Sequence, residues 1–286
     1  MKCYLKEVRR KRPLIHCITN VVTVNDCANL LLAAGASPTM AHHPAEVEEV
    51  TAGCDALVCN LGATESYEAM EKAVVVSNRY AHPVVIDPVG AGGSGFRRDF
   101  FRHLLQVGQA ACIRGNASEI LALAENKNTV TGVDGGNCPK HLAALAAKEL
   151  AERTGSIVIA SGERDVITDG KTTYLVDNGD VWMTKITGSG CMSSALLGAY
   201  LAAVNDIMEQ RSKNALPSGV DREVLAACAE AVTVMGICGE LAAEECRESG
   251  QGSMRFRMRL IDRLFTLGEE SIILKQQMTK AERREK

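Results

Sequence analysis

The sequence lacks an excess of positive charge. Its 32 lysine and arginine residues are outnumbered by 35 aspartates and glutamates, which gives a formal net charge of −3. Nucleic-acid-binding domains carry clustered positive charge, so the composition predicts no nucleic-acid partner. Long apolar runs are also absent: none reaches the roughly 18 residues that cross a membrane, and the N-terminal segment lacks the apolar part of a signal peptide. We therefore expect no membrane association.

Cysteine pairs of the CxxC type are absent too, although the chain contains 11 cysteines. They are scattered rather than grouped at metal-ligand spacing, which argues against a zinc or iron–sulfur site. Unpaired cysteines persist in reducing compartments, so we expect a cytoplasmic protein. With 286 residues, 46% of them hydrophobic, the chain is long enough for one α/β domain that spans residues 1–286.

Short apolar runs alternate with longer stretches of helical periodicity over the first 160 residues. Strands are predicted at 14–18, 36–40, 56–60, 83–87, 110–113 with its flanks, and 156–160. Helices are predicted between them, at 23–34, 44–53, 65–81, 97–107, 117–126 and 139–154. This alternation is typical of the α/β class, with a mostly parallel central sheet and helices on both faces.

The pattern changes after residue 160. Asp169-Gly170 and Asn178-Gly179 separate strand-like runs and predict hairpin turns, so we expect antiparallel strands at one edge of the sheet. From residue 190 onward, helices are predicted at 190–205, 220–246 and 254–278, with a break at Pro217-Ser218-Gly219.

In an open parallel sheet, ligands bind beyond the carboxyl ends of the strands. The predicted strands end at, or are followed by, residues that suit such a site: Asn20, Met40, Asn60, Asp87, Arg114 and Ser161. Because these strand ends meet at one edge of the sheet, we expect the residues to share one site. Arg114 could clamp a phosphate there or form a surface ion pair, and Ser161 could bind a ligand or cap a turn.

Residues 184–203 join a Gly-Ser-Gly loop to a segment that is apolar at helical spacing, and Cys191 lies at the junction. The glycines let a ligand approach the backbone, and the free N–H groups of a helix that begins there attract an anion. Cys191 is then either a reactive thiol or a small buried residue that shapes the loop. A helix N-terminus lowers a thiol pKa and nearby phosphate raises it, so the sequence leaves the sign of the shift open.

Asp87 and Glu119 are the acidic residues best placed to bind a metal ion. Asp87 ends a buried strand, where a carboxylate needs a partner. Mg²⁺ bound to phosphates typically uses one or two carboxylates and keeps several waters. Asn116 and Glu119 also have the spacing of a capping box at a helix N-terminus. The two roles are compatible, because a cap also fixes the carboxylate.

Three other features suggest different interpretations. Residues 90–95 match the dinucleotide-binding pattern G-x-G-x-x-G, but they follow the fourth strand and an Asp-Pro whose charge would repel a pyrophosphate. Residues 170–172, Gly-Lys-Thr, resemble the end of a P-loop, but they lie in a predicted hairpin, and Asp165 stands where the motif needs glycine. His16 lies within an apolar run and is interpreted as a hydrogen-bonded core residue.

The chain resembles the hydroxyethylthiazole kinase family of the ribokinase-like superfamily. The resemblance covers most of residues 13–245 and rests on PLIHCITNVVTVNDCANLLLAAGASPTMA, CNLGA, VVIDPVGAGGS, IRGNASEI, SGE and ITGSGCMSSA, in the family's order. It implies a ribokinase-like fold and phosphorylation, by Mg²⁺ and ATP, of the alcohol of 4-methyl-5-(2-hydroxyethyl)thiazole in thiamine salvage. It also implies a homotrimer with substrate pockets between subunits.

The resemblance further implies roles for individual residues. Met40 and Gly188 would contact the substrate, and Asn20 is a further candidate for that role. The residues expected to contact ATP are Arg114, Ser161 and Asn116, and those expected near Mg²⁺ are Asp87 and Glu119. Cys191 takes the place of the aspartate of other ribokinase-like enzymes and is the candidate catalytic residue.

The sequence leaves rival functions. A hydroxymethylpyrimidine kinase or an ADP-dependent hydrate dehydratase would share the fold, but the cysteine of TGSGC and the segment SPTMA disfavour both. A non-catalytic nucleotide sensor would be expected to lose the metal-binding acids or the Gly-Ser-Gly loop, and this chain keeps both. A dehydrogenase would rest on the weak G-x-G-x-x-G match alone.

Overall fold

One mixed sheet organises the computed structural model of the protein, which describes residues 2–125, 140–205 and 222–281. Its strands are β1 (Leu14–Ile18), β2 (Ser37–Thr39), β3 (Ala56–Asn60), β4 (Val84–Asp87), β5 (Cys112–Asn116), β6 (Ile157–Ser161), β7 (Asp165–Thr168), β8 (Thr173–Val176) and β9 (Met278–Lys280). Their spatial order is β2-β1-β3-β4-β5-β6-β7-β8-β9. Strands β1 to β6 are parallel and β7 to β9 are antiparallel. The predicted parallel sheet with an antiparallel edge is confirmed.

Helices cover both faces of this sheet. They are α1 (Tyr4–Lys11), α2 (Val24–Ala34), α3 (Val47–Ala52), α4 (Tyr67–Arg79), α5 (Gly95–Val107), α6 (Ala117–Glu125), α7 (Lys140–Thr154), α8 (Ser189–Ala203), α9 (Arg222–Glu248), α10 (Ser253–Thr266) and α11 (Glu269–Lys275). One buried core joins the sheet to α1, α2 and α8 to α11, and the other joins it to α4 to α7. Successive strand residues face opposite cores, as in Leu57 and Val58, because side chains alternate along a strand.

Helix α8 packs directly against β1, β3 and β4. At Gly198 a Cβ atom would lie 2.7 Å from Cγ2 of Val58 and 3.2 Å from Cγ2 of Ile15. A side chain at this position would therefore push the helix away from the sheet. Glycine at position 198 therefore allows the close approach of α8 to β1 and β3.

Helix α9 is long and apolar enough, by length and composition, to cross a membrane. Of its apolar window, 83% is buried inside the fold, where it packs against α8 and α10. Its apolar surface is therefore accounted for by core packing.

Two predictions for the last third of the chain are wrong. Asp169-Gly170 forms the β7–β8 hairpin, but Asn178-Gly179 leads into the 3₁₀ helix Val181–Lys185. The segment 254–278 is not one helix, because it divides into α10 and α11 and ends at β9. The predicted break at 217–219 lies outside the described residues.

The pairing of the C-terminal strand with the open edge of β8 accounts for the replaced hairpin at Asn178-Gly179 and for the end of the helical segment at β9. The division between α10 and α11 falls at Leu267 and Gly268, which are both extended. Asn178 Nδ2 donates to the carbonyl of Lys275 at 2.9 Å, and the Gln277 N–H donates to Asn178 Oδ1 at 2.6 Å. Residues 277–280 carry no strand pattern of their own, so the strand forms only because a sheet edge offers unpaired backbone groups.

We expect Asn178→Ala to destabilise the protein. The side chain is 5% exposed and also donates to Glu240 at 3.1 Å, so its removal leaves buried groups without partners. The loss should be about 1–3 kcal/mol in the free energy of unfolding, measured by urea denaturation. The matched control is Asn29→Ala on the exposed face of α2, which should change stability by less than about 0.5 kcal/mol. Equal effects of the two substitutions would contradict the assigned role of Asn178.

Candidate active site

Polar residues at the carboxyl ends of neighbouring strands lie side by side. Asn60 of β3 is the register partner of Asp87 of β4, and Asn116 of β5 is the register partner of Ser161 of β6. Arg114 and Asn116, which were predicted to follow the fifth strand, lie within its last three residues. The prediction that these strand ends share one edge is confirmed.

Cys191 lies in the first turn of α8 and contacts two of these strand ends. The helix starts at Ser189, after Gly188 with φ of +85°, a left-handed conformation that favours glycine. Asn60 Nδ2 donates to Cys191 Sγ at 3.1 Å, and Asn20 Nδ2 lies 3.5 Å from the same sulfur. The loop after β1, the end of β3 and the start of α8 therefore meet at this thiol.

Asp87 is buried at the centre of this group, with 1% of its surface exposed. Its Oδ2 accepts hydrogen bonds from Asn60 Nδ2 at 3.0 Å and from Ser194 Oγ at 2.9 Å. Ser194 follows Cys191 by three residues, so both side chains lie on one face of α8. Burial raises the pKa of Asp87, and Arg114 and these hydrogen bonds oppose the rise.

Glu119 closes the predicted capping box at the start of α6. The Glu119 N–H donates to Asn116 Oδ1 at 2.9 Å, and the Asn116 N–H donates to Glu119 Oε2 at 2.8 Å. The other oxygen, Oε1, accepts from the N–H of Gly90 at 2.8 Å. Burial, and then the charge of Asp87, raise the pKa of Glu119 to about 7. The fold therefore holds two carboxylates in a buried place where ionisation of both is unfavourable.

Arg114 and Ser161 form a pair beside α8. Arg114 Nη2 donates to Ser161 Oγ at 3.0 Å, and Ser161 Oγ donates to the carbonyl of Gly115 at 3.2 Å. A Cβ atom at Gly190 would lie 2.5 Å from Arg114 Nη1. The guanidinium group therefore lies against the first turn of α8, where it adds positive charge to the free N–H groups of the helix.

Met40 follows β2, at the sheet edge next to β1, and is partly buried against the core that contains α8. The segment after Asn20 is apolar and exposed to solvent: Val21 is 80% exposed and Val22 is 64% exposed.

His16 is a core residue as predicted, because its Nε2–H donates to the carbonyl of Ala41 at 2.7 Å and its Nδ1 lies 2.9 Å from Thr51 Oγ1.

The competing motifs do not form binding sites of their own. In the glycine-rich loop, the Gly90 N–H is occupied by Glu119, and a Cβ atom at Gly90 would meet Arg97 Nη1 at 2.4 Å. Residues 170–172 lie in the β7–β8 hairpin rather than between a strand and a helix. Within the described ranges, three or more histidine, cysteine or acidic side chains are nowhere grouped as a metal site.

The amino-acid sequence matches a known family. The sequence model of the Hydroxyethylthiazole kinase family matches residues 5–270. The chain belongs to this family. A hydroxyethylthiazole kinase from Thermoanaerobacter sp. (strain X514) is 40% identical to it over 270 residues, which are 94% of this chain and 95% of that protein. The solved structure of hydroxyethylthiazole kinase from Pyrococcus horikoshii OT3 has a TM-score of 0.81 and 34% identity, with 98% of each chain covered.

A more distant comparison shows the fold class alone. A ribokinase-like superfamily protein from Enterococcus faecalis V583 is 10% identical with a TM-score of 0.55, over 92% of this chain and 89% of that one. The ribokinase-like fold is thereby confirmed, as is the resemblance to the hydroxyethylthiazole kinase family. This chain is a kinase. Its similarity to the family covers residues 5–270, which is more than the residues 13–245 covered by the sequence motifs.

Two residues of the site were not singled out from the sequence. Asn60 was noted only as one of several strand ends, and Ser194 was not noted at all. A signal for both was present, because Asn60 ends a fully apolar strand and Ser194 lies one helical turn after Cys191.

The structure answers the question that the sequence left open for the Cys191 thiol. Burial, and then the charge of Asp87, raise its pKa to about 11, against the opposing hydrogen bonds of Thr23 and Asn20. Only the thiolate reacts with iodoacetamide, so we expect alkylation of Cys191 to accelerate about tenfold per pH unit from pH 7 to 9. The measurement is mass spectrometry of the peptide that carries Cys191.

Free cysteine in the same solution is the control, because its alkylation levels off above its unperturbed pKa of about 8.5. A rate at Cys191 that reaches a plateau below pH 9 would contradict the raised pKa.

Proposed function

We propose that this chain transfers the γ-phosphoryl group of ATP to the hydroxyl of 4-methyl-5-(2-hydroxyethyl)thiazole, in thiamine salvage. The observation that carries the proposal is the convergence of Asn20, Asn60 and Asp87 at the N-terminus of α8. Asn20 and Asn60 contact Cys191 directly, and Asp87 is linked to it through Asn60. The reaction class follows from family membership, and the convergence gives the reacting groups one place to meet.

Phosphoryl transfer depends mainly on positioning and on neutralisation of charge. The first turn of α8 presents backbone N–H groups, and Arg114 lies against the same turn, so an anionic phosphate would find two sources of positive potential there. Ser161 holds the guanidinium group, and Asn116 ends the strand next to Ser161. These contacts support Arg114, Ser161 and Asn116 as the ATP-binding residues.

Asp87 and Glu119 fit a magnesium ion that arrives with the nucleotide. Both carboxylates are buried and both have raised pKa values, although the charge of Arg114 opposes each rise. Mg²⁺ bound to phosphates commonly needs only one or two carboxylates. When bound, the ion would supply neutralisation of phosphate charge. Asp87 and Glu119 would hold it.

Cys191 is the proposed acceptor of the alcohol's proton. Only the thiolate can accept a proton, and with a pKa of about 11 it is the minor form of Cys191 at neutral pH. A loose transition state develops little charge on the attacking oxygen, so the proton can leave late and a sparsely populated thiolate is compatible with turnover. Gly188 precedes the turn that carries the sulfur and Asn20 donates toward it, which supports both as contacts of the substrate alcohol.

The proposed substrate pocket lies at the end of the sheet near β1 and β2. Met40 is partly buried, and Val21 and Val22 leave apolar surface exposed next to Asn20. An apolar thiazole ring suits such a surface, and a neighbouring subunit would complete the wall. This supports the homotrimer with intersubunit pockets implied by the family resemblance. We also propose a cytoplasmic location, in keeping with the free thiols of the ten cysteines in the described ranges.

The activity is tested by ADP release in a coupled assay with a panel of small alcohols. We expect kcat/KM for the hydroxyethylthiazole to exceed that for hydroxymethylpyrimidine by about tenfold or more, because the pocket contacts differ for the two rings. Omission of Mg²⁺ should abolish release. Faster turnover of the pyrimidine would establish the alternative, a hydroxymethylpyrimidine kinase, and absence of release with every alcohol would contradict both.

The phosphate site is tested by Gly190→Ala. The new methyl group would displace the flexible end of Arg114, so KM for ATP should rise by about tenfold while the melting temperature changes little. Gly252→Ala is the matched control, since a Cβ atom there meets nothing within 4 Å. Unchanged KM for ATP in Gly190→Ala would remove Arg114 from the nucleotide site.

A further inference from the structure

We propose that Asn60 is a positioning residue, whose side-chain amide holds Cys191 Sγ and the Asp87 carboxylate in one fixed arrangement. Its kinetic consequence rests on the proposed function, whereas the arrangement itself rests on hydrogen bonds alone. Asn60 is 1% exposed and ends β3, between the strand end that leads to Asn20 and the strand end that carries Asp87.

The amide of Asn60 uses its full hydrogen-bonding capacity. Its two Nδ2 protons go to different acceptors, Asp87 Oδ2 at 3.0 Å and Cys191 Sγ at 3.1 Å. Its Oδ1 accepts from the Gly62 N–H at 2.9 Å and from Asn20 Nδ2 at 3.2 Å. An asparagine side chain offers two protons and two lone pairs, and each has a partner here.

These partners also fix which way the amide points. A rotation by 180° would place Oδ1 against the Asp87 carboxylate and Nδ2 against the Gly62 N–H, so that like polarities face each other. Gly62 permits the contact: a Cβ atom there would lie 2.7 Å from Asn60 Oδ1. The rigid planar amide of Asn60 therefore fixes the position of Cys191 Sγ relative to the Asp87 carboxylate.

Other side chains of similar size would not reproduce this bridge. Aspartate would place a third carboxylate beside Asp87 and would present an acceptor to the sulfur. Serine has one hydroxyl proton, so it could donate to Asp87 or to Cys191 but not to both. An N–H directed at the sulfur stabilises the thiolate form of Cys191. Asn60 therefore acts on the reaction through its two neighbours.

The test is a double-mutant cycle between positions 60 and 191, read as kcat. We expect Asn60→Ser to lower kcat about tenfold or more in the parent and by less than about threefold in a Cys191→Ala background. KM for the thiazole should stay within about threefold, because Asn60 is buried beneath the proposed pocket. An equal loss of kcat in both backgrounds would overturn the proposal, because it would show that Asn60 does not act through Cys191.

A second measurement does not depend on turnover. Asn60→Asp keeps the side-chain size, removes the donor to the sulfur and adds negative charge, so alkylation of Cys191 by iodoacetamide at pH 8 should slow by about fivefold or more. Asn60→Ser should slow it as well, because its single proton prefers the carboxylate of Asp87. The serine variant, which adds no charge, also serves if the aspartate variant does not fold. Alkylation within about twofold of the parent in a folded variant would overturn the proposal.

The control for lost stability is Asn178→Ala, a buried asparagine at β9 outside the site. It should lower stability yet leave kcat and the alkylation rate of Cys191 as in the parent. The two proposals also fail separately: a parent protein that does not phosphorylate the thiazole defeats the proposed function, while slower alkylation in the Asn60 variants would still establish the bridge.

Discussion

Two carboxylates are buried at the carboxyl ends of the central strands, and the other residues of the site compensate for that burial. Asp87 is 1% exposed and Glu119 is 4% exposed. A buried charge is unfavourable unless hydrogen bonds or an opposite charge compensate it. Asp87 accepts from the amide of Asn60 and the hydroxyl of Ser194, and Glu119 accepts from two backbone N–H groups. The positive charge of Arg114 acts on both carboxylates. The pKa of each carboxyl group nevertheless remains raised, so these donors and Arg114 compensate the burial only in part.

This electrostatic setting gives a physical reason for a thiol at position 191. Asp87 already raises the pKa of Cys191, and an aspartate in the same turn would place a third negative charge near Asp87 and the incoming phosphates. A neutral thiol avoids that repulsion, but only its minor thiolate form could accept a proton at neutral pH. In the proposed mechanism this suffices, because little charge develops on the attacking oxygen in a loose transition state.

Local chemistry made much of this structure predictable from the sequence. The parallel strands follow from buried apolar runs, the capping box of Asn116 and Glu119 from spacing, and the helix start shortly before Cys191 from the Gly-Ser-Gly loop. Features set by distant pairing were not predictable: β9 is a strand because β8 has an open edge, and Asn178 binds that strand instead of closing a hairpin. The direction of the pKa shift of Cys191 could not be predicted from the sequence either, because it depends on how deeply the sulfur is buried beside Asp87.

The geometry of the site is set by how α8 rests on the sheet. Two glycines of this helix permit close contacts. Gly198 lets the middle of the helix approach Val58 and Ile15, and Gly190 leaves room for Arg114 at the helix start. The same helix carries Cys191 and Ser194, whose partners Asn60 and Asp87 lie on β3 and β4. A small shift of α8 would therefore move the Cys191 thiol, the hydroxyl that holds Asp87 and the first turn of the helix together. Because phosphoryl transfer depends on positioning, the proposed function would require the packing of α8 on β1 and β3 for catalysis as well as for the core.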